Sequence, residues 1–236
     1  MAVLRLSELS WPEVPTGSVL VVPVGSCEQH GPHLPLDVDT RIAQFLADAL
    51  AEHLGGGAVV APPVTVGASG EHAGFPGTLS VGNEVMASVV VELVRSALPV
   101  PGSAEPFAGV VLVNGHGGNI AALGSATGLL VSEGRAVLAW HPQVPGGDSH
   151  AGRTETSMLL HLDPGCVRMD RAEPGATTRW RELAPEVMAG GLRDVAPNGV
   201  LGDPTTATAE EGAQVFRDLV AALVADVAAW RGTLAP

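Results

Sequence analysis

The chain has 236 residues, 46% of them hydrophobic and 16% charged, which is long and apolar enough to bury a core as one globular domain spanning residues 1–236. Its formal net charge of −13 and its scattered basic residues argue against a nucleic-acid partner, because phosphate backbones are bound by clustered Lys and Arg. Two cysteines, Cys27 and Cys166, are too few for a disulfide framework, so reduced thiols in the cytoplasm are expected.

Short β-branched runs alternate with helix-like segments along the chain. In chain order the first half reads as strand Val19–Val24, helix Thr40–His53, strand Ala58–Ala61 and helix Asn83–Leu98. The second half reads as strand Val110–Val113, helix Ile120–Ser132, strand Ala136–Trp140 and a final helix near Ala209–Trp230. This alternation predicts an α/β fold with a mostly parallel central sheet covered by helices on both faces.

Other segments carry weaker signals. The Pro- and Gly-rich stretches Val100–Pro106 and Leu183–Thr208 are predicted surface loops. The first nine residues have no apolar run of the kind found in secretory signals. Val215–Trp230 is apolar but short for a bilayer and interrupted by charges, so an amphipathic helix and no membrane association are expected.

The segment directly after the first predicted strand is dense in side chains that bind metals. Glu28, His30, His33, Asp37 and Asp39 fall within twelve residues, and nitrogen and oxygen donors of this kind suit Zn²⁺, Fe²⁺ and Mn²⁺. In an extended segment the side chains of Glu28 and His30 leave the same face, so both can reach one metal cluster. Asp39 opens the first helix, where it either caps the helix or bridges cations. The alternative for the whole segment is a solvated loop.

A second ligand-rich segment, Asn114–Asn119, follows the third predicted strand. The carboxyl ends of parallel strands share one edge of a sheet, so His116 is expected to lie near the first cluster. Gly117 and Gly118 leave room for a substrate to approach the backbone. The spacing matches neither a dinucleotide-binding loop nor a phosphate loop with its lysine. The alternative is a histidine whose polar atoms are satisfied within the core.

A third segment places His150 just before a helix that is expected to start near Thr154. Glu155, in its first turn, either completes a metal sphere or complements the helix dipole. An unligated His150 is suited to proton transfer. His72, in a glycine-rich loop, has either a substrate-pocket role or a structural one. Serine-hydrolase and zincin motifs are absent from the sequence, and Cys27 is expected to pack as a small hydrophobe rather than act as a nucleophile.

Four motifs in order resemble those of the creatininase family of metal-dependent amidohydrolases. They are Gly25–Leu36, Gly70–Thr78, Asn114–Asn119 and His150–Ser157. The resemblance implies an αβα sandwich, two divalent metal ions per subunit and a homo-oligomer, a hexamer or an octamer. Matched by motif position, the metal ligands are Glu28, His30, Asp39 and His116, with Asp39 bridging. Glu155 matches an active-site glutamate that is also a candidate ligand, and His150 matches the histidine that transfers protons.

Two departures bear on the substrate. Gly118 stands where creatinine-hydrolysing members carry a glutamate ligand, which implies that Glu155 or water supplies that ligand here. Gly146 stands where those members carry a tryptophan that covers the site, which argues against creatinine as the substrate.

Three further segments, Gly67–His72, Pro145–Asp148 and Gly199–Thr208, resemble a subgroup of the family that acts in mycofactocin maturation. That resemblance implies cleavage of a modified precursor peptide, releasing its cross-linked C-terminal Val-Tyr-derived unit, with Fe²⁺ or Zn²⁺ and also Mn²⁺ as suitable ions. Other members deformylate formamidopyrimidines or open cyclic amides with the same ligands. A non-catalytic metal-binding scaffold is the alternative from another class, and it would not need an unligated His150 beside the cluster.

Overall fold

The computed structural model describes residues 3–100 and 106–234. The strands are β1 (Ser18–Val24), β2 (Ala58–Val60), β3 (Phe107–Asn114) and β4 (Val137–Trp140). The helices are α1 (Val38–Leu54), α2 (Gly82–Ala97), α3 (Ile120–Ser132), α4 (Arg153–Leu162), α5 (Trp180–Gly190), α6 (Leu192–Val195) and α7 (Ala209–Arg231). Short 3-10 turns, among them Gly70–His72 and Gly117–Asn119, join these elements.

The four strands form one parallel sheet in the order β2-β1-β3-β4. β1 is central and pairs with β3 over most of its length, from Val19 opposite Gly109 to Val24 opposite Asn114. All seven residues of β1 are buried, as expected of a parallel strand covered on both faces. The predicted mostly parallel sheet is therefore confirmed.

Helices cover both faces of the sheet. Because successive side chains of a strand point to opposite faces, Leu20 and Leu112 pack on one side and Val21 and Val111 on the other. The first face packs against apolar residues of α2 and α3. The second packs against α1, α4 and α7. Burying a Val or Leu side chain contributes about 1.5–3 kcal/mol, so both helical layers are held firmly. The predicted three-layer αβα sandwich is confirmed.

Helix α7 shows why the apolar C-terminal segment is amphipathic. The Thr208 hydroxyl accepts a hydrogen bond from the backbone N–H of Glu211 and caps the first turn. Leu219, Leu223 and Val227 follow at intervals of four residues and are buried against the sheet. Among the described residues, no helix has both the length and the apolar character needed to cross a bilayer.

One predicted loop is wrong. Leu183–Thr208 contains most of α5 and all of α6, and its apolar residues form a separate buried cluster. The members of that cluster are Leu183, Val187, Leu192, Ala196 and Leu201. The high Pro and Gly content hides the four-residue spacing of Leu183 and Val187, and packing against the Gly70–His72 turn outweighs the local propensity. The other predicted loop, Val100–Pro106, lies mostly outside the described residues.

Candidate metal centre and active site

Close backbone packing brings the ligand-rich segments together at the carboxyl edge of the sheet. The N–H of Gly115, just after β3, donates to the carbonyl of Val24 at the end of β1 (2.8 Å). A Cβ on Gly115 would lie 2.3 Å from the Asp39 carbonyl, and one on Gly25 would lie 2.2 Å from the Thr40 hydroxyl. Only glycine at these two positions lets the first turn of α1 touch both strand ends.

Asp39 lies at the centre of the cluster and is 2% exposed. Its Oδ1 is 3.1 Å from His30 Nε2, and its Oδ2 is 3.0 Å from His116 Nδ1. The Ser26 hydroxyl donates to Oδ2 at 2.7 Å. Of the two alternatives for Asp39, capping does not fit the structure, because α1 begins one residue earlier and no side chain caps it. The carboxylate is instead held between two imidazoles, which fits the predicted bridging position.

Glu28 is fully buried and faces the same cluster. Its Oε1 is 3.3 Å from His72 Nε2, and its Oε2 is 3.2 Å from His116 Nε2. Neither oxygen accepts a hydrogen bond from any of the described residues. A carboxylate buried in this way is costly unless a cation compensates it, so the two oxygens fit a metal ligand.

The electrostatics of the cluster favour bound cations. Burial lowers the pKa of His30, but the carboxylates of Asp39, Glu155 and Glu28 together outweigh this effect and raise the pKa to about 10. Burial likewise lowers the pKa of His116, but its close contacts with the Asp39 and Glu28 carboxylates raise it well above its ordinary value. Burial raises the pKa of Asp39, yet the neighbouring His30 holds it well below its usual range. The negative charge that stabilises protons on His30 and His116 would also stabilise metal ions bound at the same place.

Within the described part of the chain, three groups of side chains have ligand atoms close enough to hold one ion. They are Glu28, Asp39 and His116; His30, His150 and Glu155; and Glu28, His72 and His150. All donors are imidazole nitrogens or carboxylate oxygens, the set that Zn²⁺, Fe²⁺ and Mn²⁺ accept. The residues present therefore fit the metal centre that the sequence predicts.

Glu155 approaches the cluster from the first turn of α4. Its Oε2 is 3.9 Å from His30 Nε2 and accepts a hydrogen bond from the Ala151 N–H at 2.6 Å. Burial raises the pKa of Glu155 to about 7. Ala151 has φ of +51°, a strained conformation for a residue with a side chain, so the backbone before α4 is bent to present this donor.

His150 is 8% exposed, and its ring faces the cluster rather than away from it. The ring centre lies 4.3 Å from that of His30 and 4.5 Å from that of His72. Burial, followed by the positive charge of His30, lowers the pKa of His150 well below its ordinary value. Burial lowers the pKa of His72 to about 4. Both imidazoles are therefore neutral at pH 7, as a proton-accepting group must be.

A cavity of about 420 Å³ opens above the cluster. Polar groups of Glu28, His72, His116 and His150 form its floor, and Gly117 and Gly118 form part of its wall. The remaining wall is mainly apolar, with Ile120, Pro142, Trp180, Val187, Leu192 and Leu201 beside the polar Glu71, Gln143 and Ser149. A second cavity of about 790 Å³ adjoins it and shares Ser149, Trp180 and Leu201. Together the two cavities form an extended cleft that leads to the cluster.

Two members of the first predicted cluster lie apart from it. His33 is buried with its Nε2 2.9 Å from the Thr156 hydroxyl, and burial lowers its pKa to about 4. Asp37 pairs with Arg41 at 2.7 Å near the surface. His33 thus ties the loop to α4, and Asp37 belongs to a surface ion pair.

Three site residues were missed by the sequence analysis. Trp180 forms an aromatic part of the cavity wall. Glu71 lines the cavity with its Oε1 4.0 Å from His116 Nε2, and it lies 2.7 Å from where a Cβ on Gly118 would be. The Glu71 carboxylate therefore occupies space that a side chain at position 118 would fill. Gln29 contacts both His72 and His150. The signal for Glu71 and Gln29 was their position inside histidine-containing motifs.

Comparison with known proteins agrees with this architecture. The sequence model of the creatinine amidohydrolase (creatininase) family matches residues 7–227. The mycofactocin precursor peptide peptidase of Mycolicibacterium smegmatis is 48% identical over 218 residues, 90% of this chain and 85% of that protein. The creatinine amidohydrolase of Pseudomonas putida is 31% identical, covering 88% of this chain and 89% of that protein.

Solved structures share the fold. A crystal structure of creatinine amidohydrolase superposes over the full length of both chains with a TM-score of 0.79 at 24% identity. A type II form of a mutant creatininase superposes with a TM-score of 0.78 at 25% identity, covering 99% of this chain and 100% of the other. The family predicted from the four motifs is confirmed: the chain belongs to the creatininase family.

Proposed function

We propose that this chain is a metal-dependent hydrolase of C–N amide bonds that cleaves the modified mycofactocin precursor peptide and releases its C-terminal cross-linked Val-Tyr-derived unit. The observation that carries the hydrolase is the position of Asp39 between His30 and His116 at the floor of a cavity. The likeness to mycofactocin peptidases at 44–48% identity supports the peptide substrate.

Two divalent ions would be held by the buried ligands, with Fe²⁺ or Zn²⁺ the leading candidates and Mn²⁺ also suitable. Glu28, Asp39 and His116 would hold one ion, and His30, Asp39 and Glu155 the other. When bound, such ions polarise an amide carbonyl and lower the pKa of a water ligand from about 15.7 to about 7.

His150 would move the proton. It is neutral and lines the cavity, and its Nδ1 is 3.8 Å from Glu28 Oε1. As the water oxygen attacks the carbonyl carbon, His150 takes the proton that the water loses. It then passes this proton to the amine nitrogen as the C–N bond breaks, so that a carboxylic acid and an amine are formed. Proton transfer of this kind contributes about 10²–10⁴-fold to the rate.

The cleft supports a peptide more than a small ring. The cavity above the cluster is mainly apolar, which suits a Val-Tyr-derived unit, and the adjoining 790 Å³ cavity leaves room for the rest of a peptide. Trp180 lies where the two cavities meet and would contact the chain on either side of the scissile bond.

A cleavage assay tests this function. The protein loaded with Fe²⁺ or Zn²⁺ is incubated with the decarboxylated, cross-linked precursor, and mass spectrometry should detect the small C-terminal fragment. His150→Gln should slow release by about 10²–10⁴-fold with the metal content unchanged. His53→Gln, on the exposed side of α1, is the matched control and should cleave normally.

Other outcomes of the same assay would contradict the proposal. If the protein is given a formamidopyrimidine in a parallel incubation, release of formate without peptide cleavage would assign the deformylase activity instead. Full activity after chelation would exclude the metal centre. Bound metal with no turnover of either substrate would favour a scaffold.

We also propose a cytoplasmic homo-oligomer of six or eight chains. The two cysteines are unpaired, which suits a reducing compartment. Light scattering coupled to size-exclusion chromatography should give the mass of six or eight chains, and a monomer would contradict this part of the proposal.

A further inference from the structure

Gln29 lies between the two ligands Glu28 and His30, and its side chain is buried beside His72 and His150. The orientation of its amide follows from the backbone, because the Gly31 N–H donates to Oε1 at 2.9 Å. An N–H can face only the oxygen of the amide, so the NH₂ group points the other way. That group lies 3.1 Å from the Gly199 carbonyl and 3.0 Å from His72 Nδ1.

His150 Nε2 is also 3.0 Å from this NH₂ group, but it is the donor to the Gln29 carbonyl oxygen 2.9 Å away, so it takes no amide hydrogen. The two hydrogens of the Gln29 amide are therefore given to Gly199 and to His72. His72 must accept at Nδ1, so in the neutral ring the proton is on Nε2. This Nε2 faces Glu28 Oε1 at 3.3 Å. A protonated ring nitrogen has no lone pair to offer a metal. His72 therefore presents a protonated Nε2 to Glu28, as a hydrogen-bond donor rather than a metal ligand.

His150 is fixed through the backbone of the same residue. Its Nε2 lies 2.9 Å from the carbonyl oxygen of Gln29, which can only accept a hydrogen bond. Nε2 therefore carries the proton and donates to the carbonyl. Nδ1 is left with its lone pair, on the side that faces Glu28 Oε1 at 3.8 Å.

Gly199 makes this arrangement possible. Its φ of +77° favours glycine, and a Cβ there would lie 1.8 Å from Gln29 Oε1. The loop that carries Gly199 closes directly onto the amide, so the position of Gln29 is built into the fold rather than left to a mobile side chain.

We propose that Gln29 is a positioning residue that sets opposite roles for two neighbouring histidines: His150 presents a proton-accepting nitrogen to the cluster, and His72 presents a proton-donating one. The inference deepens the proposed function, since proton transfer by His150 needs an unprotonated Nδ1. It also implies that the group Glu28, His72 and His150 does not bind an ion, although its atoms are close enough.

Solid-state ¹⁵N NMR of zinc-loaded protein with labelled histidines tests the inference, because it reports which ring nitrogen carries the proton. Both His72 and His150 should be protonated at Nε2, and His72→Gln and His150→Gln assign the signals. In Gln29→Glu, which keeps the acceptor for Gly31 but loses the donor, the proton of His72 should move to Nδ1. His150 should stay protonated at Nε2, since its backbone acceptor remains.

Gln214→Glu makes the same change on the exposed face of α7 and should leave both signals in place. A wild-type His72 protonated at Nδ1 would overturn the inference, and so would a His72 signal that Gln29→Glu leaves unmoved. The wild-type spectrum alone decides the case if the variant does not fold. The measurement uses no peptide, so its failure is distinct from a failure of the proposed cleavage.

Discussion

Removal of the metal should make the stability of this protein fall as the pH rises from 7 to 10. In the metal-free protein the buried His30 is charged beside Asp39, with its pKa raised to about 10 from 6.5. A raised pKa stabilises the folded state fully below the unfolded value, and this stabilisation is lost as the pH rises through the folded value. The chain has no tyrosine or lysine to titrate in this window, and besides the histidines it is the side chains of Cys27 and Cys166 that ordinarily ionise there.

The size of the effect follows from the shift in pKa. At about 1.4 kcal/mol per unit, the charged His30 contributes about 5 kcal/mol well below pH 6.5, about 3 kcal/mol at pH 7.5 and almost nothing above pH 10. His30 is fully buried, so solvent screening does not reduce this figure. The pKa of His116, also raised above its ordinary value despite burial, adds to the same trend.

Urea unfolding of the metal-free protein at several pH values measures the effect. The free energy of unfolding should fall by about 3 kcal/mol or more between pH 7.5 and pH 10. His30→Gln should flatten most of this slope, whereas His53→Gln should keep it. The zinc-loaded protein should lack the slope, because the ion replaces the proton. A metal-free protein that is equally stable at both pH values would refute the reasoning.

Further predictions concern the cluster, the Gln29 pocket and the cavity wall. Asp39→Asn should lower zinc affinity by more than about 100-fold in a competition with a chelator, since losing a ligand exceeds the 10–100-fold cost of losing an outer partner. Gly199→Ala should reduce the free energy of unfolding by about 1–3 kcal/mol in urea, because it strains a φ of +77° and collides with Gln29. Leu192→Ala should cost about 2–5 kcal/mol and speed hydrogen exchange in α5 and α6 first, because its cluster is separate from the two cores on the sheet.

The fold was predictable because its signals are local. The buried run Val19–Val24 and the periodic helix Ile120–Ser132 are found within a residue or so of their predicted bounds. Parallel strands also place their carboxyl ends at one edge, so the meeting of Glu28 with His116 followed from the order of elements. The α5–α6 segment was missed because its order depends on packing against distant residues, not on its own composition.

The roles of Gln29 and Glu71 in the site could not be predicted from the sequence for a related reason. The role of Gln29 depends on Gly31, nearby in the chain, but also on Gly199, 170 residues away. Likewise Glu71 gains its position near His116 only because Gly118 has no side chain. Such contacts join residues that are far apart in the sequence, so no local sequence pattern predicts them.

Anomalous diffraction from crystals of the zinc-loaded protein tests the central claim most directly. It should show two peaks in contact with Asp39, one also in contact with Glu28 and His116 and the other with His30, at metal–ligand distances of about 2.0–2.2 Å. A single peak away from Asp39, or peaks whose ligands exclude Glu28 and His116, would contradict the account.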